Sequence, residues 1–234
     1  MNLQEAKVQL NDEGFCVLED QIDAHEADYL NRRACDLIES TLGQGTYLSL
    51  EGSLDLIPEL APICIHPSIL ELAEAALGEN FILANNVAMK LCKPGAGLGG
   101  LHVDWPLPSI PKPWPISPTG LAAFWMLTDF TAKNGATAVI PFSHHTRRDP
   151  TSNRTYQHEV PVVGKKGSVL VFVNGLWHRS GANTTQNENR MAASVFYVPS
   201  FIYRPKDGWP IMKRDIYNKF PRRLQELLAR SVEA

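Results

Sequence analysis

The sequence predicts a mainly β protein with flanking helices, an antiparallel sandwich or barrel that carries its helices on one face. Three observations predict it. The first eighty residues have helical texture. From Phe81 onward the chain breaks into short β-rich runs separated by Gly, Pro and Asn. The connections between those runs are long and irregular, and helices followed by many short strands is the order of an antiparallel sheet with helices packed against it. The 234 residues are expected to form a single domain: 1–80 largely helical support, 81–200 the β core, and 201–234 a C-terminal helical extension.

In chain order, a helix is expected over about 2–12, stopped by Gly14, then a short strand in "FCVLE" (15–19) and a helix from about 23 to 41 ending before Gly43. "HPSILELAEAALG" reads as a further helix. Pro67 suits a first turn, Ile69, Leu72, Ala73 and Ala76 form one apolar stripe, and Gly78 closes it. The strands follow in "FILANNVAMKLCK", "GLAAFWMLTDF", "ATAVIPF", "HEVPVV", "GSVLVFV" and "RMAASVFYV", and an amphipathic helix near 212–230 ends the chain. Two connections are long. Residues 106–118, with six prolines, cannot be a central strand, and residues 144–158 are polar and basic.

A formal charge of −3 and a pI near 6.2 give no overall attraction to nucleic acid or to an anionic membrane, so neither is expected as a partner. Cys16, Cys35, Cys64 and Cys92 are scattered without a close pair, which argues against a thiolate zinc site and against a secreted disulfide framework. With a polar amino terminus and no apolar run approaching membrane-spanning length, the expected location is cytoplasmic.

Chemistry concentrates in "GGLHVDWP", residues 99–106. On an extended chain i and i+2 share a face, so His102 and Asp104 can reach one metal while Val103 points away. Alone, such a pair is common by chance. Its corroboration is "WHRSGAN" followed by Arg190: His178 ends an apolar strand, Ser180 shares its face, and a hairpin return would bring Arg190 beside both. Two histidines and a carboxylate leave three coordination positions open, the facial arrangement of non-haem Fe(II) oxygenases. Arg190 would grip the distal carboxylate of a 2-oxo acid, with Ser180 adding a hydrogen bond.

The pattern His-x-Asp, then "DFTAKNGATAVIPFSH" (129–144), then "WHRSGAN" and an Arg about a dozen residues later resembles the phytanoyl-CoA dioxygenase family of Fe(II)/2-oxoglutarate oxygenases. The opening "EGFCVLED" and the "HPSILELAEAALG" helix resemble that family's N-terminal elements. The resemblance implies a double-stranded β-helix (jelly-roll, cupin-like) core over 81–200. It also implies iron held by His102, Asp104 and His178, 2-oxoglutarate held by Arg190 and Ser180, and O2 as co-reactant. Asn86 and Lys90, on the strand before the metal motif, are implied as further contacts to cosubstrate or substrate. Leu101 and Val103 depart from the family's usual Trp and Gln, and Phe142 stands where its Pro-Gly-Ser-His has Gly.

The expected activity is hydroxylation of a C–H bond in a small metabolite or natural product, with release of succinate and CO2. Desaturation, cyclisation or epimerisation would use the same residues. Two rivals share the ligand set: a zinc hydrolase, which has no need of a dicarboxylate clamp, and a non-catalytic jelly-roll binding protein, which has no need of all three ligands. Because residues 106–118 leave directly from Asp104, they are expected to form a lid over the metal together with 144–158.

Overall fold

The computed structural model describes residues 1–84, 86–151, 156–202 and 211–228. Parts of the basic connection (152–155) and of the C-terminal extension (203–210 and 229–234) lie outside them. Helix α1 (Leu3–Glu13) begins with a capping box in which Asn2 and Glu5 exchange side-chain and backbone hydrogen bonds, and it ends at Gly14, φ 87°. Strand β1 (Phe15–Leu18) follows. Helix α2 (Ala24–Leu42) is capped by the Asp23 carboxylate, which accepts from the Glu26 N–H at 2.8 Å. After it come β2 (Tyr47–Leu50), the short helices α3 (Ser53–Leu56) and α4 (Ala61–Cys64), and α5 (Pro67–Leu77), which starts and stops at the Pro and Gly read from the sequence.

The β core comprises β3 (Phe81–Leu83), β4 (Ala88–Cys92), β5 (Leu121–Met126), β6 (Thr137–Ile140), β7 (Val160–Pro161), β8 (Val169–Val173), β9 (Trp177–Ser180) and β10 (Arg190–Pro199). Helices α6 (Arg214–Tyr217) and α7 (Arg222–Leu228) close the described chain, where one longer helix was expected. The run "FILANNVAMKLCK" also differs from expectation. It is two strands, because Asn86 and Val87 take positive φ (44° and 59°) and break the pleat.

All strand pairing among the described residues is antiparallel. A large sheet has the order β1-β8-β5-β10-β4-β2, with β3 also pairing β10, and a small sheet has the order β7-β6-β9. Strand β10 is buried along all ten residues, and β5 and β8 are buried throughout. Each fully buried Val, Leu, Ile or Phe there contributes about 1.5–3 kcal/mol. Helices α1 and α5 pack on the large sheet, so the other face turns inward toward the small sheet. The result is the double-stranded β-helix with its helices on one side. No single helix among the described residues is long and apolar enough to cross a membrane. The four cysteine thiols are unpaired, and burial pushes that of Cys16 up to about 12.

Candidate metal centre

The segment that carries His102 is fastened to β9 by backbone pairing. His102 and His178 exchange both N–H···O bonds at 3.0 Å, and Asp104 donates its N–H to the Asn174 carbonyl at 3.0 Å. The two histidines therefore stand directly opposite each other as a hydrogen-bonded antiparallel pair, with ring centroids 4.3 Å apart. Alternation does the rest. Val103 is buried in an outer apolar cluster while His102 and Asp104 turn inward.

Both imidazoles are fixed in the same sense. The Nδ1 of His102 lies 2.9 Å from the Gly100 carbonyl, and the Nδ1 of His178 lies 2.9 Å from that of Leu176. A carbonyl can only accept, so each Nδ1 carries a proton, which leaves Nε2 as the nitrogen able to ligate. Those Nε2 atoms lie 3.8 and 3.7 Å from Asp104 Oδ1, and the three ligand atoms fall within 4.8 Å of one another. These gaps exceed a hydrogen bond and suit donors that each sit about 2 Å from a shared ion. Burial holds the His178 imidazole below its usual pKa, against the pull of Asp104, so the ring is neutral and able to ligate. The Phe172 ring packs against it, tilted by 55°, with centroids 4.6 Å apart.

The same cavity receives Ser180, Arg190, Lys90, Thr137, Phe124, Arg179 and Tyr47. Arg190 is 1% exposed. Its Nε donates to the Gly135 carbonyl at 3.0 Å, Nη2 donates to Ser180 Oγ at 2.8 Å, and Nη1 approaches the Lys90 carbonyl at 3.5 Å. A guanidinium has five N–H groups, so about two remain to face the cavity. No carboxylate pairs with Arg190 among the described residues. A buried charge without a counter-ion is costly, and a ligand carboxylate is the partner this geometry accepts.

The hairpin expected between His178 and Arg190 is not formed. Strand β9 pairs β6 in the small sheet, whereas β10 is held between β4 and β5 in the large one. The side chains meet across the interior between two sheets. The wholly buried β10 needs a partner on both edges, which leaves none for β9. Lys90 lies on the cavity wall with its ammonium 5.9 Å from the Phe124 ring. Asn86 does not line the cavity; it is buried in the turn before β4, where its carbonyl accepts from Leu54 N–H. Tyr47, Phe124 and Thr137 line the cavity and were not singled out from the sequence. The strand register places Phe124 inside, but only once closure of the barrel is known.

The lid expectation is not met among the described residues. No described residue of 106–118 or 144–158 lines the metal cavity. The two connections instead hold each other, since Lys112 pairs with Asp149, Arg147 donates to the Trp114 carbonyl and Trp114 N–H donates to the Arg147 carbonyl at 3.2 Å, while Trp177 Nε1 of β9 donates to the Arg148 carbonyl at 2.9 Å. Leu107 and Trp114 bury themselves with Val103, Ile140 and Trp177 on the outer face of the small sheet. Trp177 faces outward because His178, its neighbour, faces inward.

The sequence model of the family described as phytanoyl-CoA dioxygenase matches residues 10–192. Dioxygenase af480 of Aspergillus fumigatus is 27% identical over 98% of this chain and 75% of its own length. Among solved structures, the epimerase SnoN in complex with Fe3+, alpha ketoglutarate and nogalamycin RO superposes with a TM-score of 0.69 at 21% identity, covering 87% of this chain and 86% of that one. The carbocyclase SnoK from nogalamycin biosynthesis gives 0.68 at 21% identity, covering 88% of each.

Proposed function

The chain belongs to the phytanoyl-CoA dioxygenase family of Fe(II)/2-oxoglutarate-dependent oxygenases, and on that premise we propose the roles of its residues and the outcome of its reaction. His102, Asp104 and His178 hold the iron. The donor set fits: two imidazoles hydrogen-bonded through Nδ1, with Nε2 directed inward, and one carboxylate form the facial triad that leaves positions open. When bound, Fe(II) with 2-oxoglutarate and O2 supplies the oxidant, releasing succinate and CO2.

The protein's own work is positioning and exclusion of water. The Gly100 and Leu176 carbonyls hold the two imidazoles in one orientation, and Phe172 braces the His178 ring. Arg190 presents its outer N–H pair to the distal carboxylate of 2-oxoglutarate, while Ser180 orients the guanidinium. Lys90 is a further contact to cosubstrate or substrate.

The observation that carries this reading is the buried Arg190, a cation without a carboxylate partner among the described residues, on the same cavity as the His-Asp-His cluster. It favours an oxygenase over a zinc hydrolase, because hydrolysis needs no second anion site. The substrate is a small metabolite or natural product and the outcome is C–H hydroxylation. Desaturation, cyclisation and epimerisation are the alternative outcomes of the same residues; the fold is shared with proteins described as an epimerase and a carbocyclase. The test is succinate release from 2-oxoglutarate with Fe(II) and O2 by the wild type and by Asp104→Ala. Equal release by the two overturns the ligand assignment.

A further inference from the structure

The guanidinium of Arg190 lies between two aromatic rings of different character. Phe130, 5.2 Å from Cζ to ring centroid, is 1% exposed and belongs to the core. Tyr47, at 5.9 Å, is 43% exposed and lines the metal cavity. The register explains how Tyr47 gets there: it stands beside Cys92 on β4, which stands beside Arg190 on β10, so the three side chains share the inward face of the large sheet. Strand β2 is the last strand of that sheet, and Tyr47 begins it. Behind the guanidinium are the core and the bonds to Gly135 and Ser180. On the solvent side the Tyr47 ring faces it.

We propose that Tyr47 is the solvent-side cover of the Arg190 pocket, a positioning residue that sets the affinity for the distal carboxylate of 2-oxoglutarate. The proposal rests on the reading of Arg190 as cosubstrate anchor. A charge pair open to water is weakened by dielectric and by salt, and one shielded by a ring face is not. The ring also holds the guanidinium plane by a cation–π contact, so that its outer N–H groups meet a carboxylate without reorientation. The hydroxyl has no part in this.

The experiment is calorimetric titration of 2-oxoglutarate into the full chain loaded with redox-inert Mn(II). It uses wild type, Tyr47→Ala, Tyr47→Leu, Tyr47→Phe and, as a control on the underlying reading, Arg190→Ala. Tyr47→Ala is expected to weaken binding roughly five- to thirty-fold, the equivalent of about 1–2 kcal/mol, and to make affinity fall more steeply with added salt. Tyr47→Leu serves if the Ala variant does not fold, with the same direction expected. Tyr47→Phe is expected to bind within about twofold of wild type, since 1.4 kcal/mol is needed for each tenfold change. In steady state, KM for 2-oxoglutarate should rise in the Ala and Leu variants with kcat little changed. Unchanged affinity and salt dependence in both overturns the proposal, and so does equal loss in Tyr47→Phe, which would assign the effect to the hydroxyl. If Arg190→Ala also binds normally, it is the anchor reading that fails; normal Tyr47 variants beside a weakened Arg190→Ala overturn the cover alone.

Discussion

Replacing Arg190 by Met removes the guanidinium while keeping a long, flexible apolar side chain between Phe130 and Tyr47. In the ligand-free protein the exchange removes a buried cation that no described carboxylate neutralises, and such replacements are often neutral or stabilising. The lost bonds to Gly135 and Ser180 offset part of that gain, so the unliganded Tm should stay within a few degrees of wild type. The effect should appear on adding cosubstrate. At a hundred times Kd, a ligand that binds only the folded state adds about 2.7 kcal/mol, a shift of roughly 5–11 °C for a chain of this size. Loss of a charge-assisted pair worth about 1.5–3 kcal/mol weakens binding roughly ten- to 150-fold. At the same concentration the stabilisation then falls to between about 0.3 and about 1.3 kcal/mol, a shift of at most about 5 °C. Thermal melts with Mn(II) and increasing 2-oxoglutarate measure this. A variant that keeps the full cosubstrate-induced shift would refute the assignment of Arg190.

Trp114→Ala should cost about 3–5 kcal/mol of stability, because Trp114 is 2% exposed in the outer cluster; normal stability and normal 2-oxoglutarate binding with succinate release uncoupled from substrate oxidation would restore the lid. Phe142→Gly should leave Tm unchanged or raise it by a few degrees, since Phe142 holds φ 66° while 55% exposed and a left-handed non-Gly residue is strained by about 1–2 kcal/mol; a clear fall would mean that the ring is anchored. Burial lowers the pKa of His144, whose Nε2 donates to the Asn11 carbonyl near the end of α1. A depressed histidine pKa means that the unfolded chain takes up the proton first, so stability should fall as pH drops through and below about 6.5. His144→Asn should flatten that part of the pH–Tm curve, and an identical slope would contradict it.

How much was legible depended on whether a feature is local. The parity of His102, Val103 and Asp104 follows from the extended backbone alone, and the structure has the same alternation. Gly14 and Gly78 ended helices where a residue without Cβ was the signal. Ser180 and Arg190 were brought together correctly but by the wrong geometry, since only closure between two sheets decides that β9 and β10 do not pair. Tyr47 carries no periodic signal: its strand has four residues and follows a glycine-rich turn. The lid expectation rested on nearness to Asp104 in sequence. It failed because Leu107 and Trp114 are large apolar residues that bury on the outer face, following Val103 and not Asp104.

The central claim is that one cavity holds Fe(II) and 2-oxoglutarate together through His102, Asp104, His178 and Arg190. Its most direct test is visible absorbance under argon, with wild type, Asp104→Ala and Arg190→Met each mixed with Fe(II) and then titrated with 2-oxoglutarate. A weak metal-to-ligand charge-transfer band should saturate in the wild type, be absent in Asp104→Ala, and require far more 2-oxoglutarate in Arg190→Met. No band in the folded wild type, or a band of equal strength and affinity in all three proteins, would contradict the claim.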